Sequence, residues 1–201
     1  MPGMLDGIRV IDFGQYIAGP VAAMLLADQG AAVIRVDPPG GPRWATPANA
    51  TWNRGKRNVT LDLKSPSGLD EARRLAASAD IVIENFRPGV MDRLGLGAAA
   101  MTAANPRLIY CSMPGFAGDD PRAAVAAWEG VVGAATATYR PPAGGTRPVY
   151  TAIPIASMYA AFQAAVSMAA ALVARERDGA DRKSTRLNSS HVSESRMPSS
   201  A

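Results

Sequence analysis

In the first forty positions, segments with short continuous runs of hydrophobic residues alternate with a segment in which these residues follow helical spacing. The run IRVIDF is apolar and β-branched enough for a strand that is buried on both faces. Val21, Met24, Leu25 and Leu26 then form one apolar helical face, and Gly30 follows at a typical C-cap position. A second run, AAVIRVD, predicts another buried strand. Two strands joined by a helix over this length pair in parallel through a right-handed crossover.

Short apolar strands separated by helical segments continue through the next eighty residues. The runs NVTLDL, IVIENF and LIYCSM predict three more strands, and the serine before GLDEARRLAASA predicts a helix cap. A short helix is expected in VMDRLGL, and a long alanine-rich helix is expected over residues 153–179. Strands that alternate with helices in this way indicate an α/β protein with a parallel sheet and flanking helices.

The turn after the first strand distinguishes between classes of nucleotide cofactor. A dinucleotide-binding fold has G-x-G-x-x-G at this turn and an acidic residue at the end of the second strand. Asp37 fits the acidic residue, but the turn reads GQYIAGP and lacks the glycine spacing. Pro20 also removes one backbone donor from the helix N-terminus that would hold a pyrophosphate. We therefore expect neither NAD nor a flavin as cofactor.

Residues 5–39 contain a long motif, L-x-G-x-R-V, then A-G-P, then L-L-A-D-x-G-A and V-I-R-V-D-x-P. This motif resembles the N-terminus of the family III CoA-transferases, which include formyl-CoA transferase, carnitine CoA-transferase and the α-methylacyl-CoA racemases. The resemblance continues to residue 179. It implies a Rossmann-like parallel sheet that is the incomplete half of an interlocked-dimer fold. It also implies acyl-CoA and a carboxylic acid as substrates, and a homodimer or a paired domain as partner.

The basic residues of the middle of the chain match further motifs of this family, N-R-x-K-R, L-D-L-K, N-[FY]-R-P-G and R-L-G. Coenzyme A carries a pyrophosphate and a 3′-phosphate, with which cations beside the strand ends would pair. The alternatives are a solvated basic loop and, for the later positions, an ordinary strand-end turn. The resemblance implies that coenzyme A is bound by Arg54, Lys56, Arg57, Lys64, Asn85, Arg93 and Gly115, the last in a glycine-rich loop over the acyl thioester.

Ser157 occupies the position at which the family has its catalytic aspartate, within the pattern [VI]-P-[VI]-A-D. The resemblance implies that this aspartate passes through a mixed anhydride to an aspartyl-CoA thioester. A serine hydroxyl has no ionised form near neutral pH, and residues 1–180 contain no histidine to act as its base. Its ester would also be a poor acyl donor. Ser157 is therefore expected to be a structural hydroxyl at a helix start, and this chain alone is expected to be inactive in CoA transfer.

Three functions stay open besides a CoA-transferase that is active through Ser157. The chain could be one half of a fused or paired enzyme whose other half supplies the aspartate. It could be a homologue that binds coenzyme A without turnover. An acyl-CoA racemase-like isomerase ranks last, because that chemistry needs a pair of bases that commonly includes histidine.

Composition and local sequence narrow the possible ligands and the possible cellular location. The 201 residues are 48% hydrophobic, and the formal charge of +4 is too small and too dispersed for nucleic-acid binding. The N-terminal MPGM lacks the basic and apolar regions of a signal peptide, so a cytoplasmic location is expected. Residues 153–174 are apolar but contain Ser157, Gln163 and Ser167, which favours a buried or interface helix over a membrane span. Cys111, the only cysteine, is expected to be a buried thiol, and no metal site is expected.

Residues 181–201 differ abruptly from the helix before them. DRKSTRLNSSH and SRMPSSA resemble the translation of a short-read sequencing adapter, interrupted by three residues where a sample index would lie. We therefore divide the chain into residues 1–180, the N-terminal part of a family III domain, and a non-native tail that is expected to be disordered. The only histidine, His191, falls in this tail. On this interpretation the chain is a fragment of a longer protein.

Overall fold

The computed structural model of the chain describes residues 3–44, 46–177 and 186–188. Its strands are β1 (Arg9–Asp12), β2 (Ala32–Asp37), β3 (Arg57–Thr60), β4 (Ile81–Glu84), β5 (Ile109–Ser112) and β6 (Arg186–Asn188). All of them pair in parallel, in the order β3-β2-β1-β4-β5-β6. The strand order reverses between β1 and β4. In open parallel sheets, ligands bind in the crevice at the carboxyl ends of the strands where this reversal occurs.

Seven helices surround the sheet in the described part of the chain. They are α1 (Ala18–Asp28), α2 (Pro47–Trp52), α3 (Pro66–Ala77), α4 (Val90–Arg93), α5 (Ala98–Ala104), α6 (Glu129–Ala135) and α7 (Ile155–Arg177). Two helix ends lie where Gly30 and the serine before GLDEARRLAASA predicted them. Gly30 follows α1 with a φ of +101°, and the Ser65 hydroxyl accepts a hydrogen bond from Gly68 N at 3.1 Å at the start of α3. The predicted α/β class and parallel sheet are therefore confirmed.

Both faces of the sheet are buried, which explains why the strands read as continuous apolar runs. On one face, Val10, Ile83 and Cys111 pack with α1 and α7. On the other face, Ile11 and Tyr110 lie in a second cluster with α3 and α5. Alternate residues of each strand thus belong to two separate cores, one on each side of the sheet.

The long helix α7 is apolar and long enough to cross a membrane by length and composition. One of its faces is nevertheless buried in the described structure, where it packs on α1 and β5 through Ala161, Ala164, Met168, Ala171 and Leu172. The core helix of a globular protein passes the same length test. One face of α7 is therefore buried in the described structure, which agrees with the predicted buried or interface helix.

Three short helices, α2, α5 and α6, were not predicted from the sequence pattern, whereas the short helix expected in VMDRLGL is present as α4. Helix α2 begins at Pro47 in a stretch rich in glycine and proline. Proline fits the first helical position because its fixed φ is already helical. The rings of Trp44 and Trp52 lie 5.0 Å apart at this segment. Neither α5 nor α6 is long enough to show a helical period.

Three residues of the tail form a strand, although the tail is expected to be disordered. Arg186–Asn188 pairs with β5 in parallel, with Cys111 opposite Leu187. The physical reason lies in β5, which would otherwise be the edge of the sheet and would present unpaired N–H and C=O groups to any extended segment. The other residues of 181–201 lie outside the described residues, and their adapter origin stays a prediction.

The Cys111 thiol is fully buried, as the sequence predicted. Desolvation, with a further contribution from the charge of Glu84, raises the pKa of this thiol from 9.0 to about 12. The folded chain holds the thiol proton more tightly than the unfolded chain does. The thiol therefore stabilises the fold at pH values below the pKa that it has in the unfolded chain. That contribution is lost as the pH rises from 9.0 through about 12.

We predict that iodoacetamide leaves Cys111 unmodified in the native chain at mildly alkaline pH, because only an accessible thiolate reacts. Peptide mass spectrometry would measure the modified fraction over time. The same chain in concentrated guanidinium chloride is the control and should react completely. Equal rates in the two samples would show that the thiol is not buried.

Candidate functional site

The turn between β1 and α1 lies at the crevice where the strand order reverses. Its backbone folds back on itself, and a Cβ added to Gly14 would lie 2.7 Å from the Gly19 Cα. No side chain fits between the two glycines without a shift of the backbone. Between them, Tyr16 has a φ of +63° and an exposed side chain. Left-handed backbone at a bulky residue is a strained arrangement of the kind that clusters at functional sites.

Asn85 ties this turn to the end of β4. Its side-chain oxygen accepts a hydrogen bond from Gln15 N at 2.7 Å, and its side-chain nitrogen donates to Gln15 O at 2.8 Å. The predicted ligand Asn85 therefore lies at the expected edge of the sheet, where its amide holds the β1 turn in place. The Gln15 side chain is buried, and its Oε1 has no hydrogen-bond partner among the described residues.

Lys56, another predicted ligand, is directed into the protein. Its Nζ donates to Asp12 Oδ2 at 2.8 Å, to Pro20 O at 2.8 Å and to Asn53 Oδ1 at 2.9 Å. The side chains of Lys56 and Asp12 are 1% and 0% exposed. Burial lowers the pKa of Lys56, and the adjacent Asp12 carboxylate opposes that shift. All three N–H groups of this ammonium are used internally, so in this conformation it is a structural cation.

A second buried ion pair continues the same network. Arg35 Nε donates to Asp37 Oδ1 at 2.8 Å, and Arg35 Nη1 donates to Asn53 Oδ1 at 2.7 Å. Asn58 donates to the other Asp37 oxygen at 2.8 Å. Asn53 thus receives hydrogen bonds from both buried cations. The acidic residue that resembled a ribose ligand in the sequence is instead occupied by protein donors.

The other predicted cations lie at the surface. Arg54 pairs with Asp28, while Arg57 and Lys64 are exposed at the beginning of β3 and shortly after it. Arg93 is exposed at the end of α4, where its Nη1 lies 3.4 Å from the position that a Cβ would take on Gly89. That glycine belongs to a small open cleft at the carboxyl ends of β4 and β5, which Glu84, Arg87, Pro88, Asp92 and Ser112 also line.

Ser157 lies in the first turn of α7 and contacts a carboxylate that the sequence analysis did not identify. Glu129, the first residue of α6, accepts a hydrogen bond from Ala156 N at its Oε1, at 2.9 Å. Its Oε2 accepts from Ser157 N at 2.9 Å and from the Ser157 hydroxyl at 2.6 Å. In the sequence, Glu129 stands in the run Trp-Glu-Gly, which none of the motifs described above includes.

The predicted thioester loop packs on the segment that leads into α6. Gly115 packs so closely on Ala127 that a Cβ at position 115 would overlap the alanine side chain. Ala127 comes two residues before Glu129, so the loop and the start of α6 share one location. Phe116 of the same loop is buried, and Arg122 lies 4.5 Å over its ring. The described contact of Gly115 is thus with Ala127, two residues before Glu129 in the chain.

The described residues contain no group of three His, Cys, Asp or Glu side chains placed to hold a metal ion.

Comparison with known proteins establishes the family. The model of CoA-transferase family III matches residues 5–185, and the chain belongs to that family. It is 48% identical over 181 residues to the CoA-transferase/lyase DddD of Marinomonas sp., covering 87% of this chain and 22% of the relative. It is 39% identical over 188 residues to the probable fatty acyl-CoA transferase Rv3272 of Mycobacterium tuberculosis, covering 87% and 48%. The predicted family membership is confirmed.

The fold agrees with this assignment. The crystal structure of a CAIB/BAIF family protein from Brucella suis superposes with a TM-score of 0.86 at 29% identity, covering 98% of this chain and 56% of the other. The chain thus spans about half or less of the length of these relatives. The Rossmann-like sheet predicted from the resemblance is confirmed by the match.

Proposed function

We propose that the chain is part of an enzyme that moves coenzyme A between a thioester and a carboxylic acid. The observation that carries this proposal is the location of the family motifs. The turn after β1, the residues after β4 and the glycine-rich loop after β5 all lie at the carboxyl edge of the parallel sheet, where such folds bind their ligands. Relatives named as CoA-transferases support the reaction class.

Two exposed cations near this edge fit an anionic ligand such as coenzyme A: Lys64 follows β3, and Arg93 ends α4 after β4. Arg57 begins β3 and Arg54 pairs with Asp28 at the end of α1, so these two residues lie toward the amino ends of the strands, and their contact with coenzyme A stays a prediction. Asn85 holds the β1 turn, and Gly115 lets the thioester loop approach α6 closely. Lys56 has a different role in this proposal, because it fixes Asp12 beneath the turn and makes no phosphate contact.

Arg93→Ala is predicted to weaken coenzyme A binding by about tenfold to a hundredfold, which corresponds to one charge-assisted phosphate contact of on the order of 1.5–3 kcal/mol. Isothermal titration calorimetry on the full chain would measure the dissociation constant. Arg74→Ala is the matched control, because Arg74 is exposed and pairs with Glu71 on α3, away from the cleft. Equal affinities for the wild type and Arg93→Ala would exclude Arg93 as a ligand. A preference for NAD over coenzyme A would contradict the ligand class.

A second candidate function is one half of a paired enzyme, in which another domain supplies the catalytic aspartate. Alignments of similar length cover 22% of DddD but 48% of Rv3272, so the relative from Marinomonas is about twice as long. That length has room for two family domains. Ser157 in place of the aspartate suits a half that binds but does not react alone.

The outer face of α7 is apolar and exposed, which favours a partner that covers it, either in a homodimer or in a paired enzyme. Its exposed apolar side chains follow a helical spacing, and each is at least half exposed: Tyr159, Phe162, Val166 and Val173. A second copy of the protein or a second domain would cover this face. The homodimer stays a proposal. The cytoplasmic location and the racemase alternative likewise stay predictions.

A further inference from the structure

We infer that Glu129 is the nucleophile of this site and that Ser157 is a positioning residue that orients it. The inference rests on the proposed CoA transfer and names the residue that would perform it in this chain. It is carried by the contact between Glu129 and Ser157 and by the location of the thioester loop.

Position 157 has a serine where the family has an aspartate, but the carboxylate of Glu129 lies close to this position. A serine Oγ and an aspartate Cγ are each one bond from Cβ, so the Ser157 hydroxyl marks where an aspartate side chain would begin. Glu129 Oε2 lies 2.6 Å from that hydroxyl. The chain therefore keeps a carboxylate at the start of α7, although it is contributed by α6.

Hydrogen bonding leaves one oxygen of this carboxylate able to attack. Each carboxylate oxygen can accept about two hydrogen bonds. Oε2 accepts two, from Ser157 N and the Ser157 hydroxyl, whereas Oε1 accepts only one, from Ala156 N. Three donors fix the orientation of the group, and Oε1 retains a lone pair. Glu129 is only partly buried, so a substrate can reach it.

The loop that the resemblance assigns to the thioester packs two residues before Glu129 in the chain. Gly115 touches Ala127, two residues before Glu129, so an acyl group held under the glycine-rich loop lies beside the first turn of α6. The packing of Gly115 on Ala127, two residues before Glu129, is the second observation that supports the inference.

The chemistry balances with acyl-CoA and a carboxylate as the only reactants. Glu129 Oε1 attacks the thioester carbonyl carbon, the C–S bond breaks, and coenzyme A leaves as a thiolate. The thiolate attacks the glutamyl carbonyl of the mixed anhydride, which releases the first acid as a carboxylate and leaves a glutamyl-CoA thioester. The acceptor carboxylate repeats both exchanges in reverse and restores Glu129. No oxidant, metal or added proton is needed.

The test is covalent trapping on the full chain. The chain is incubated with acetyl-CoA, succinyl-CoA or octanoyl-CoA and quenched with hydroxylamine, which converts an activated carboxyl into a hydroxamate. Peptide mass spectrometry then locates the modified residue. We expect the hydroxamate on Glu129 in the wild type and none in Glu129→Gln.

Matched variants separate catalysis from folding. Ser157→Ala removes one hydrogen bond of roughly 1.4 kcal/mol, so labelling of Glu129 should persist with a rate about tenfold lower. Glu129→Asp keeps a carboxylate and should be labelled at position 129, more slowly because the reacting atom is displaced. Circular dichroism and coenzyme A titration of each variant show whether it folds and binds.

Each other outcome overturns the inference. An acyl group on Ser157 would make this a serine-ester site with Glu129 as its base. No label in a wild-type chain that binds coenzyme A would refute the nucleophile while leaving CoA binding intact. A wild-type chain that does not bind coenzyme A at all would remove the proposed function itself.

Discussion

Lys56→Met is expected to lower the free energy of unfolding by about 3–5 kcal/mol, the cost of leaving one partner of a buried ion pair uncompensated. The side chains of Lys56 and Asp12 are 1% and 0% exposed, so water cannot replace the lost ammonium. The substitution removes three hydrogen bonds, to Asp12, Pro20 and Asn53. Methionine matches the length of the side chain, so the loss reports charge and hydrogen bonding more than packing.

Urea denaturation followed by circular dichroism would measure this effect. Arg54→Met is the matched control, because it removes a cation two positions away whose pair with Asp28 is 49% and 35% exposed. Surface pairs contribute about 0–1 kcal/mol, so the control should lose little. The double variant Asp12→Leu/Lys56→Met should recover much of the loss, since no buried charge is left alone. Equal losses for Lys56→Met and Arg54→Met would show that Lys56 is not a structural cation.

Met168→Ala is expected to destabilise the fold by about 2–5 kcal/mol, the range for removing a large apolar side chain from a packed core. Met168 is fully buried between α7 and the sheet. Alanine would leave a cavity that a helix packed on both α1 and β5 cannot readily close. The same substitution would matter little if α7 were held by the apolar environment of a membrane.

Val166→Ala, two residues away, is the control for helix propensity. Val166 is 66% exposed, so its replacement should change the free energy of unfolding by less than about 0.5 kcal/mol. Urea titrations of both variants give the comparison directly. A Met168→Ala variant as stable as Val166→Ala would mean that α7 does not pack on the sheet as described. In a protein with a covering partner, Val166→Ala would instead weaken association.

Local patterns in the sequence determined most of the sheet and its long helices. Buried parallel strands must be apolar on both faces, so IRVIDF, AAVIRVD and IVIENF were recognisable from composition alone. Gly30 and Ser65 marked helix ends because the cap conformation and the cap hydrogen bond depend on one residue. The family motifs were contiguous, which is why membership could be stated before the fold was known.

The tertiary structure alone decided which charged side chains are buried in the protein and which are exposed at its surface. Lys56 resembled a phosphate ligand because it lies in a basic loop, yet its partner Asp12 is 44 residues away in sequence. Asn85 and Gln15 are 70 residues apart, and Glu129 and Ser157 are 28 apart. Sequence periodicity reports only neighbours along the chain, whereas these contacts arise from strand order and helix packing. The carboxylate beside Ser157 was therefore invisible until α6 and α7 were placed together.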